Sequence, residues 1–390
     1  MKRGFLKNGT RSQKQFGDKP PSPVRAPQST PSSQSAAIMN TTCVYSTSPC
    51  IVRADIRLPE SSHFLYLPAG RPADMVFVDT LASVKKIAKW PVWSQPPPVM
   101  PSPRPFRVEL APGKGVGMFA NRLIKAGELI MMERPVYASR RRRYCAPDQN
   151  EANGIFHRAA ISGLSGSSRQ ALMALKNSYG SDYDVVFGIL TTNFLPIDIT
   201  EEPDPDNDFL GCFPTLSRAN HDCCPSANYF FSFAPYCGQF WAVRDIPKDA
   251  EITISYASLV ASRAERQKRL LDIHKFTCTC NTCTLPAQAV QRSDARREEI
   301  AEISARSATS AASTGMSKKR VLNAMKYVEE EGLVAASVQM QMYAASFFMH
   351  QLDFAEGVRW MKKAKKSMLT VEGEDSYGLK AFKGLDPVLS

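Results

Sequence analysis

Residues able to do chemistry are concentrated between Ser217 and Cys283. This stretch begins SRANHDCCP, passes through EITISY, which ends at Tyr256, and closes on FTCTCNTC. A neighbouring amide and imidazole, a phenol and a tight group of thiols stand within one short stretch of chain. Packing alone does not require that combination. The sequence therefore predicts an active site here.

The cysteines of this stretch have the spacing of metal ligands. Cys278, Cys280 and Cys283 form a CxCxxC cluster, which supplies only part of a tetrahedral zinc site. A fourth ligand must come from elsewhere, and Cys223 and Cys224 are the candidates because they follow the Asn-His pair. A set of small buried thiols is the alternative, but it does not account for the spacing. The pattern predicts a structural zinc site.

His221 admits three interpretations: a zinc ligand, a general base or a core residue. It stands between Asn220 and Asp222, in a polar run unlike a buried strand. An amide beside an imidazole suits the adenine edge and the amino-acid end of a nucleotide-like cofactor.

A glycine-rich turn at residues 113–117, GKGVG, offers backbone amides with little steric hindrance. No GK[ST] follows, so it is not a P-loop, and the strand-like MFA after it differs from the helix that a dinucleotide fingerprint requires. A cofactor without a pyrophosphate fits better. A simple tight turn is the alternative.

Bulk composition limits the class of protein. The 390 residues, 43% of them hydrophobic, can build a catalytic domain with an appended module. The net charge of +12 favours acidic partners. No signal peptide and no long apolar run is visible, so neither secretion nor a membrane span is expected. In a reducing compartment, close cysteines are more often metal ligands or catalytic groups than disulfides.

The chain divides by composition into successive segments. Residues 1–50 are Ser/Pro-rich and predicted to be disordered. Residues 51–105 form an extension with a short strand, a short helix and a Pro-rich linker. Short strands with turns follow from residue 106, helical periodicity occupies residues 151–200, and residues 290–390 read as amphipathic helices loosely like a tetratricopeptide unit.

Two charged runs each carry two interpretations. The four arginines at 140–143 are a solvated loop or a signal for nuclear import or an anionic partner. The acidic run at 201–208 is a solvated loop or a docking site for basic peptides.

Four motifs together resemble a known family. GKGVGMFA, NHDCCP, EITISY and CxCxxC, in this order and with a helical insert between the first two, look like a SET-domain lysine methyltransferase, most closely the SMYD-like branch and its fungal relatives. The resemblance implies an α+β fold: a β-rich SET domain of small curled sheets at 106–257 with a helical insert at about 150–200, a post-SET zinc segment at 258–285 and an all-helical region at 290–390. The MYND finger of that branch is absent, since the insert after Tyr137 has only Cys145 and Cys212.

The resemblance also implies roles for individual residues. The cofactor would be S-adenosylmethionine, and Tyr256, at the end of the strand motif, would be catalytic. The aromatic before the last cysteines, Phe276, would wall the lysine channel beside the cofactor. The cofactor-contacting set is Lys114, Gly115, Gly117, Asn193, Ser217, Asn220, His221 and Phe276, and the zinc ligands are Cys223, Cys278, Cys280 and Cys283.

Two departures from the family pattern are visible. The family usually reads NHxCxPN, whereas Pro225 is followed here by Ser226, with Asn228 two positions late. This predicts a local insertion or a lost hydrogen bond. Val116 replaces a polar residue that some relatives carry within the glycine motif.

The resulting hypothesis is methyl transfer from S-adenosylmethionine to a lysine ε-amine of a protein, histone tails among the candidates. The alternative is a catalytically inactive SET-fold module that binds peptides or chromatin. A zinc-dependent nucleic-acid binder is disfavoured because no recognition helix lies among the cysteines, and direct nucleic-acid binding stays open. A monomer in the nucleus, the cytoplasm or both is expected, without membrane association.

Overall fold

The structure, a computed structural model, describes residues 43–44, 50–53, 63–68, 72–140, 150–198, 209–307 and 316–383. These residues belong to one compact unit, Thr41–Ser390. They mix helices with small sheets, which confirms the predicted α+β class. Among them, no helix combines the length and apolarity that crossing a bilayer would need.

The strands among the described residues fall into three sheets. Their orders are β1-β2-β3-β4-β8-β10-β9, β11-β14-β6-β5 and β12-β13-β7. The strand bounds are β1 Cys43–Val44, β2 Cys50–Arg53, β3 His63–Leu67, β4 Met75–Asp79, β5 Phe106–Ala111, β6 Gly115–Ala120, β7 Leu129–Glu133, β8 Tyr137–Arg140, β9 Phe194–Ile197, β10 Phe209–Cys212, β11 Asn220–His221, β12 Ala227–Ser232, β13 Cys237–Ala242 and β14 Glu251–Ile254.

Helices lie before, within and after these sheets. Short 3₁₀-helices occur at Pro91–Ser94 and Leu216–Arg218. The α-helix bounds are α1 Leu81–Ile87, α2 Asn150–Ser162, α3 Gly166–Met173, α4 Val185–Asn193, α5 Arg263–His274, α6 Ala287–Ser307, α7 Lys318–Glu330, α8 Val334–His350, α9 Phe354–Glu372 and α10 Tyr377–Lys383.

The segment before the predicted SET domain contains more strand than expected. One short strand and one short helix were predicted for residues 51–93, whereas β2, β3, β4 and α1 occur there. β3 and β4 are buried along their whole length, because successive side chains point to opposite faces and each face meets a hydrophobic core. β4 then pairs in parallel with β8, so this hairpin shares a sheet with the strands that follow.

The sheet β11-β14-β6-β5 carries most of the predicted site. β5 and β6 form an antiparallel hairpin around the glycine turn. β14 pairs with β6, and the two-residue β11 pairs in parallel with β14, with Asn220 opposite Thr253 and His221 opposite Ile254. The glycine turn, the Asn-His pair and the strand that leads to Tyr256 are therefore neighbours in one small sheet.

Helices form where the sequence predicted them. The insert contains α2, α3 and α4, and the region after the cysteines contains α6 to α10. α5 begins with a capping box, in which Ser262 accepts from the backbone of Glu265 and the Glu265 carboxylate accepts from the backbone of Ser262. Such reciprocal caps satisfy amides that a helix start leaves unpaired. The cap fixes where α5 starts, directly after the segment that follows Tyr256.

Three predictions concern residues that the structure describes only in part or not at all. The acidic run at 201–208, residues 141–143 of the arginine run and residues 1–42 of the predicted disordered tail at 1–50 lie outside the described residues. The described residues of that tail are β1, Cys43–Val44, and Cys50, the first residue of β2. The roles proposed for the two charged runs therefore stay predictions.

Candidate active site

The glycine turn brings bare backbone to the edge of the site. Gly113 and Gly115 have φ of 72° and 81°, the left-handed region that glycine adopts without a steric penalty. A Cβ built on Gly115 would meet no atom within 4 Å. The backbone here therefore faces open space that a ligand can approach closely.

Gly117 is required for a different reason, which is packing. A Cβ at this position would lie 2.9 Å from Ala111 Cβ and 3.0 Å from Asn220 Nδ2. Only a residue without a side chain lets β6 pass this close to the Asn-His strand.

Glu251 connects the turn to the Asn-His pair. Its Oε2 lies 2.7 Å from Lys114 Nζ, and its Oε1 accepts a 2.8 Å hydrogen bond from Asn220 Nδ2. Asn220 Nδ2 also lies 3.3 Å from the carbonyl of Val116. The Asn220 amide is thus oriented from two sides. Sequence reasoning did not single out Glu251, although it opens the strand motif that ends at Tyr256.

Asn193 and Ser217 meet at the end of the insert. Asn193 is the last residue of α4 and is buried, and its Nδ2 donates to the carbonyls of Lys176 and Ile189, each at 2.7 Å. Ser217 Oγ donates a 3.1 Å hydrogen bond to the carbonyl of Asn193. This bond attaches the end of the insert to Ser217, three residues before Asn220.

His221 is held in one orientation by its neighbours. Its Nδ1 accepts a 3.0 Å hydrogen bond from the backbone amide of Tyr256, so Nε2 carries the proton of the neutral ring. Nε2 lies 3.3 Å from Cys223 Sγ. Burial lowers the pKa of His221 to about 4. Of the three interpretations of His221, this geometry disfavours the general base, because Nδ1, the nitrogen that a base would use, already accepts the Tyr256 amide.

Tyr256 lies among aromatic rings. Its hydroxyl donates a 2.6 Å hydrogen bond to the carbonyl of Ala219. Its ring centroid is 4.7 Å from that of His274, 5.5 Å from His221 and 6.4 Å from Phe276. Desolvation, with a further contribution from the charge of Glu251, raises the pKa of Tyr256 well above its usual value. The phenol therefore stays protonated at neutral pH.

His274 was not singled out from the sequence. It is the last residue of α5 and lies beside Tyr256, where burial lowers its pKa to about 4. A lone histidine near the end of a helix gives no signal of such a position.

The four predicted cysteine ligands converge. The sulfurs of Cys223, Cys278, Cys280 and Cys283 all lie within 4.8 Å of one another, and Cys223 Sγ is 3.5 Å from Cys283 Sγ. Tetrahedral zinc with Zn–S bonds of about 2.3 Å would separate its sulfurs by roughly 3.8 Å. All four are free cysteines, with no disulfide among them. The donor set and its spacing fit a structural zinc ion.

Cys224 does not join that cluster. Its Sγ lies 3.2 Å from Arg244 Nη1 and 3.7 Å from the carbonyl of Gly332. The choice between Cys223 and Cys224 as the fourth sulfur, which the sequence left open, is resolved by geometry in favour of Cys223.

Ser226, directly before β12, joins this segment to β14 by hydrogen bonds. Its Oγ accepts a 2.9 Å hydrogen bond from the Thr253 amide, and its amide lies 3.3 Å from Thr253 Oγ1. β12 then pairs with β13 without a register shift from Ala227 onward. The departure from the family pattern leaves a hydroxyl in place of an amide, and the junction to β14 is kept.

Comparisons with known proteins agree with these motifs. The SET domain family matches residues 115–257. The chain is 28% identical over 276 residues to histone-lysine N-methyltransferase set5 of Schizosaccharomyces pombe, a match that covers 70% of this chain and 80% of the relative.

Shorter matches reach animal proteins. The chain is 33% identical over 104 residues to N-lysine methyltransferase SMYD2-B of Danio rerio, covering 26% of this chain and 24% of that protein. It is 36% identical over 74 residues to histone-lysine N-methyltransferase SMYD3 of Homo sapiens, covering 19% and 17%. These two matches span about a quarter or less of the relatives. Residues 115–257 are thus similar to the SET domain family, and the chain is similar in sequence to Set5 and, over shorter stretches, to the SMYD lysine methyltransferases.

Proposed function

We propose that this protein transfers a methyl group from S-adenosylmethionine to the ε-amine of a lysine in a protein substrate. The observation that carries the proposal is the position of Tyr256, whose hydroxyl bonds the residue before Asn220 while its ring lies among His221, His274 and Phe276. A protonated phenol beside the predicted cofactor contacts, within an aromatic wall, suits the orientation of an uncharged amine.

The cofactor would lie along the glycine turn and the Asn-His strand. The exposed backbone at Gly115, the amide of Asn220 and the ammonium of Lys114 line that edge. Lys114, Gly115, Gly117, Asn193, Ser217, Asn220, His221 and Phe276 are the contacts that we propose. When bound, S-adenosylmethionine supplies an electrophilic methyl group on a sulfonium.

The lysine would enter between Tyr256 and Phe276. An ammonium has no lone pair, so the substrate lysine must lose its proton before it can accept a methyl group. An apolar channel disfavours the charged form and lowers the pKa of that lysine. Tyr256, with its raised pKa, and His221, whose Nδ1 is occupied, do not act as strong bases. The rate enhancement would therefore come chiefly from alignment and from exclusion of water.

Zinc would act structurally. The thiolates of Cys223, Cys278, Cys280 and Cys283 would join the Asn-His segment to the segment that carries Phe276. With four sulfur ligands the site is closed, as structural zinc sites are. Zinc would thus keep the channel wall next to the cofactor contacts.

The names of the relatives indicate the substrate class that we propose. Set5 and SMYD3 are named histone-lysine methyltransferases, and SMYD2-B is named an N-lysine methyltransferase. We therefore propose a protein lysine as acceptor, with histone tails as the first substrates to test and the nucleus as one location.

A radiolabelled methyl-transfer assay on a panel of histones and on whole-cell extract tests the proposal. Label on protein lysines, mapped by mass spectrometry, is the expected result. Calorimetric titration with S-adenosylmethionine accompanies it. Binding of the cofactor without transfer to any protein would contradict the enzyme and favour the inactive peptide-binding module.

A further inference from the structure

Three charged side chains outside the predicted site are buried beside it. Arg266 on α5 is 1% exposed, Arg297 on α6 is 0% exposed, and Glu331, which directly follows α7, is 8% exposed. Removing a charge from water is costly unless partners replace the water. The hydrogen-bond partners of these three side chains therefore indicate which segments of the chain they connect.

Arg297 holds two different segments of the site. Its Nη2 lies 3.4 Å from the carbonyl of Cys223, and its Nη1 donates to the carbonyl of Leu259. Cys223 comes two residues after His221, and Leu259 comes three residues after Tyr256. The planar guanidinium of Arg297 thus bonds two segments at once: the one that follows His221 and the one that follows Tyr256.

Glu331 fixes that guanidinium from the opposite direction. Its Oε2 accepts from Arg297 Nε at 3.0 Å and from Ser293 Oγ at 2.6 Å. Its Oε1 accepts from Arg296 Nε at 2.7 Å. Three side chains of α6 therefore hold the Glu331 carboxylate, and its bond to Nε fixes the orientation of the Arg297 guanidinium.

α6 also contacts α5, which in turn reaches Cys223. Asp294 Oδ1 on α6 accepts a 2.7 Å hydrogen bond from the amide of Arg263, the first residue of α5. α5 in turn places Arg266, whose Nε lies 3.2 Å from Cys223 Sγ. The cation lies next to the sulfur that would be a zinc thiolate, where it offsets negative charge.

We propose that Arg297, oriented by Glu331, is a positioning residue that sets the Cys223 segment against the Leu259 segment and thereby His221 against Tyr256. The helices after the cysteine cluster are then part of the active-site framework and not an appended module. The effect on methyl transfer rests on the proposed function, whereas the coupling of α6 to the two segments is a separate claim.

Arg297→Lys is the main test. Lysine keeps the charge but has a compact ammonium in place of a planar fork, so it cannot reach Glu331, Cys223 and Leu259 together. Since a small misplacement of reacting groups is enough to cost about 100-fold in rate, kcat should fall by about that factor while KM for the protein substrate changes little. Hydrogen exchange should become faster in peptides that cover residues 221–224 and 256–261.

Arg320→Lys is the matched control. Arg320 on α7 pairs with Glu299 on α6, with Nη2 3.0 Å from Oε2, and it also bonds Glu302. The substitution changes an arginine–glutamate contact between the same two helices without touching the site segments. Exchange in the two peptides and kcat should match the unmodified protein.

The two readouts separate the possible outcomes. Unchanged exchange and unchanged kcat in Arg297→Lys would overturn the proposal, and so would equal changes in both variants, which would indicate general loss of stability. If Arg297→Lys does not fold, Glu331→Gln, which keeps the shape but removes the anion, is measured in the same way. If the unmodified protein transfers no methyl group, the proposed function fails, yet the exchange comparison still supports or overturns the coupling.

Discussion

The hydroxyl of Tyr256 donates a 2.6 Å hydrogen bond to the carbonyl of Ala219, the residue directly before Asn220. The proposed catalytic residue and the proposed cofactor contacts are thereby joined by one bond. This bond also fixes the direction in which the phenol points.

Tyr256→Phe should fold and bind S-adenosylmethionine but lose about 100-fold or more of its methyl-transfer rate, because the amine loses its orienting hydroxyl. Tyr229→Phe is the matched control, since the Tyr229 hydroxyl also bonds a backbone carbonyl, that of Pro196, at 2.6 Å. Single-turnover transfer rates and calorimetric affinities measure both variants. An unchanged rate in Tyr256→Phe would remove the proposed role of this residue.

Purified protein should contain about one zinc ion per chain, as a four-sulfur structural site requires. Cys280→Ser should lower the zinc content and the melting temperature, whereas Cys224→Ser should keep both, because the Cys224 sulfur faces Arg244 and Gly332. Metal analysis by plasma mass spectrometry and thermal melting check this. A folded protein without metal would refute the zinc assignment.

Gly117→Ala should weaken S-adenosylmethionine binding by about tenfold, which corresponds to about 1.4 kcal/mol. The added methyl group would press on Asn220 Nδ2 and Glu251 Oε1, each 3.0 Å from the new Cβ. Gly166→Ala is the control, since a Cβ there meets no atom within 4 Å. Titration calorimetry measures both affinities, and equal values in the two variants would contradict the assigned cofactor edge.

Stability should fall as the pH is lowered from about 6.5 towards 3. Burial lowers the pKa of His157 to about 3 in the folded protein, so the unfolded chain binds the proton first and is stabilised relative to the folded protein on acidification. His157 contributes at most about 1.4 kcal/mol per pH unit across this window.

His157→Phe should reduce that acid sensitivity. The phenyl ring can keep the stacking on Phe187, whose centroid is 5.4 Å from that of His157, but it does not titrate. Denaturant unfolding at several pH values measures the slope, with zinc content followed in parallel. A slope identical to that of the unmodified protein would show that His157 does not carry the effect.

The sequence predicted the parts of the site that have short-range signals. CxCxxC, the Asn-His pair and the glycine turn are local patterns; the structure makes the last two neighbours in one sheet and brings Cys223 to the other three cysteines. Glu251, His274 and Arg297 were missed because their roles depend on distant neighbours. An arginine within an amphipathic helix is ordinarily exposed, and nothing in VQRSDARREEIAEI distinguishes Arg297 from Arg292 or Arg296.

The fold, too, has parts that local sequence patterns predict and parts that depend on distant neighbours. Helices α6 to α9 follow from hydrophobic periodicity, and the apolar runs of β3 and β4 mark strands buried on both faces. The parallel pairing of β4 with β8 could not be predicted, because strand partners depend on the tertiary fold and neither segment's own sequence indicates them.

The cysteine cluster brings together residues that are synthesised at different times. Cys223 and Cys283 are 60 positions apart, and the bond from Arg297 to the Cys223 carbonyl spans 74. During translation, the Asn-His strand therefore leaves the ribosome well before its sulfur partners and before the arginine that holds it. The candidate site therefore cannot be completed until these later segments have been synthesised, and a nascent chain that ends before residue 283 would leave the Cys223 thiol without all of its sulfur partners.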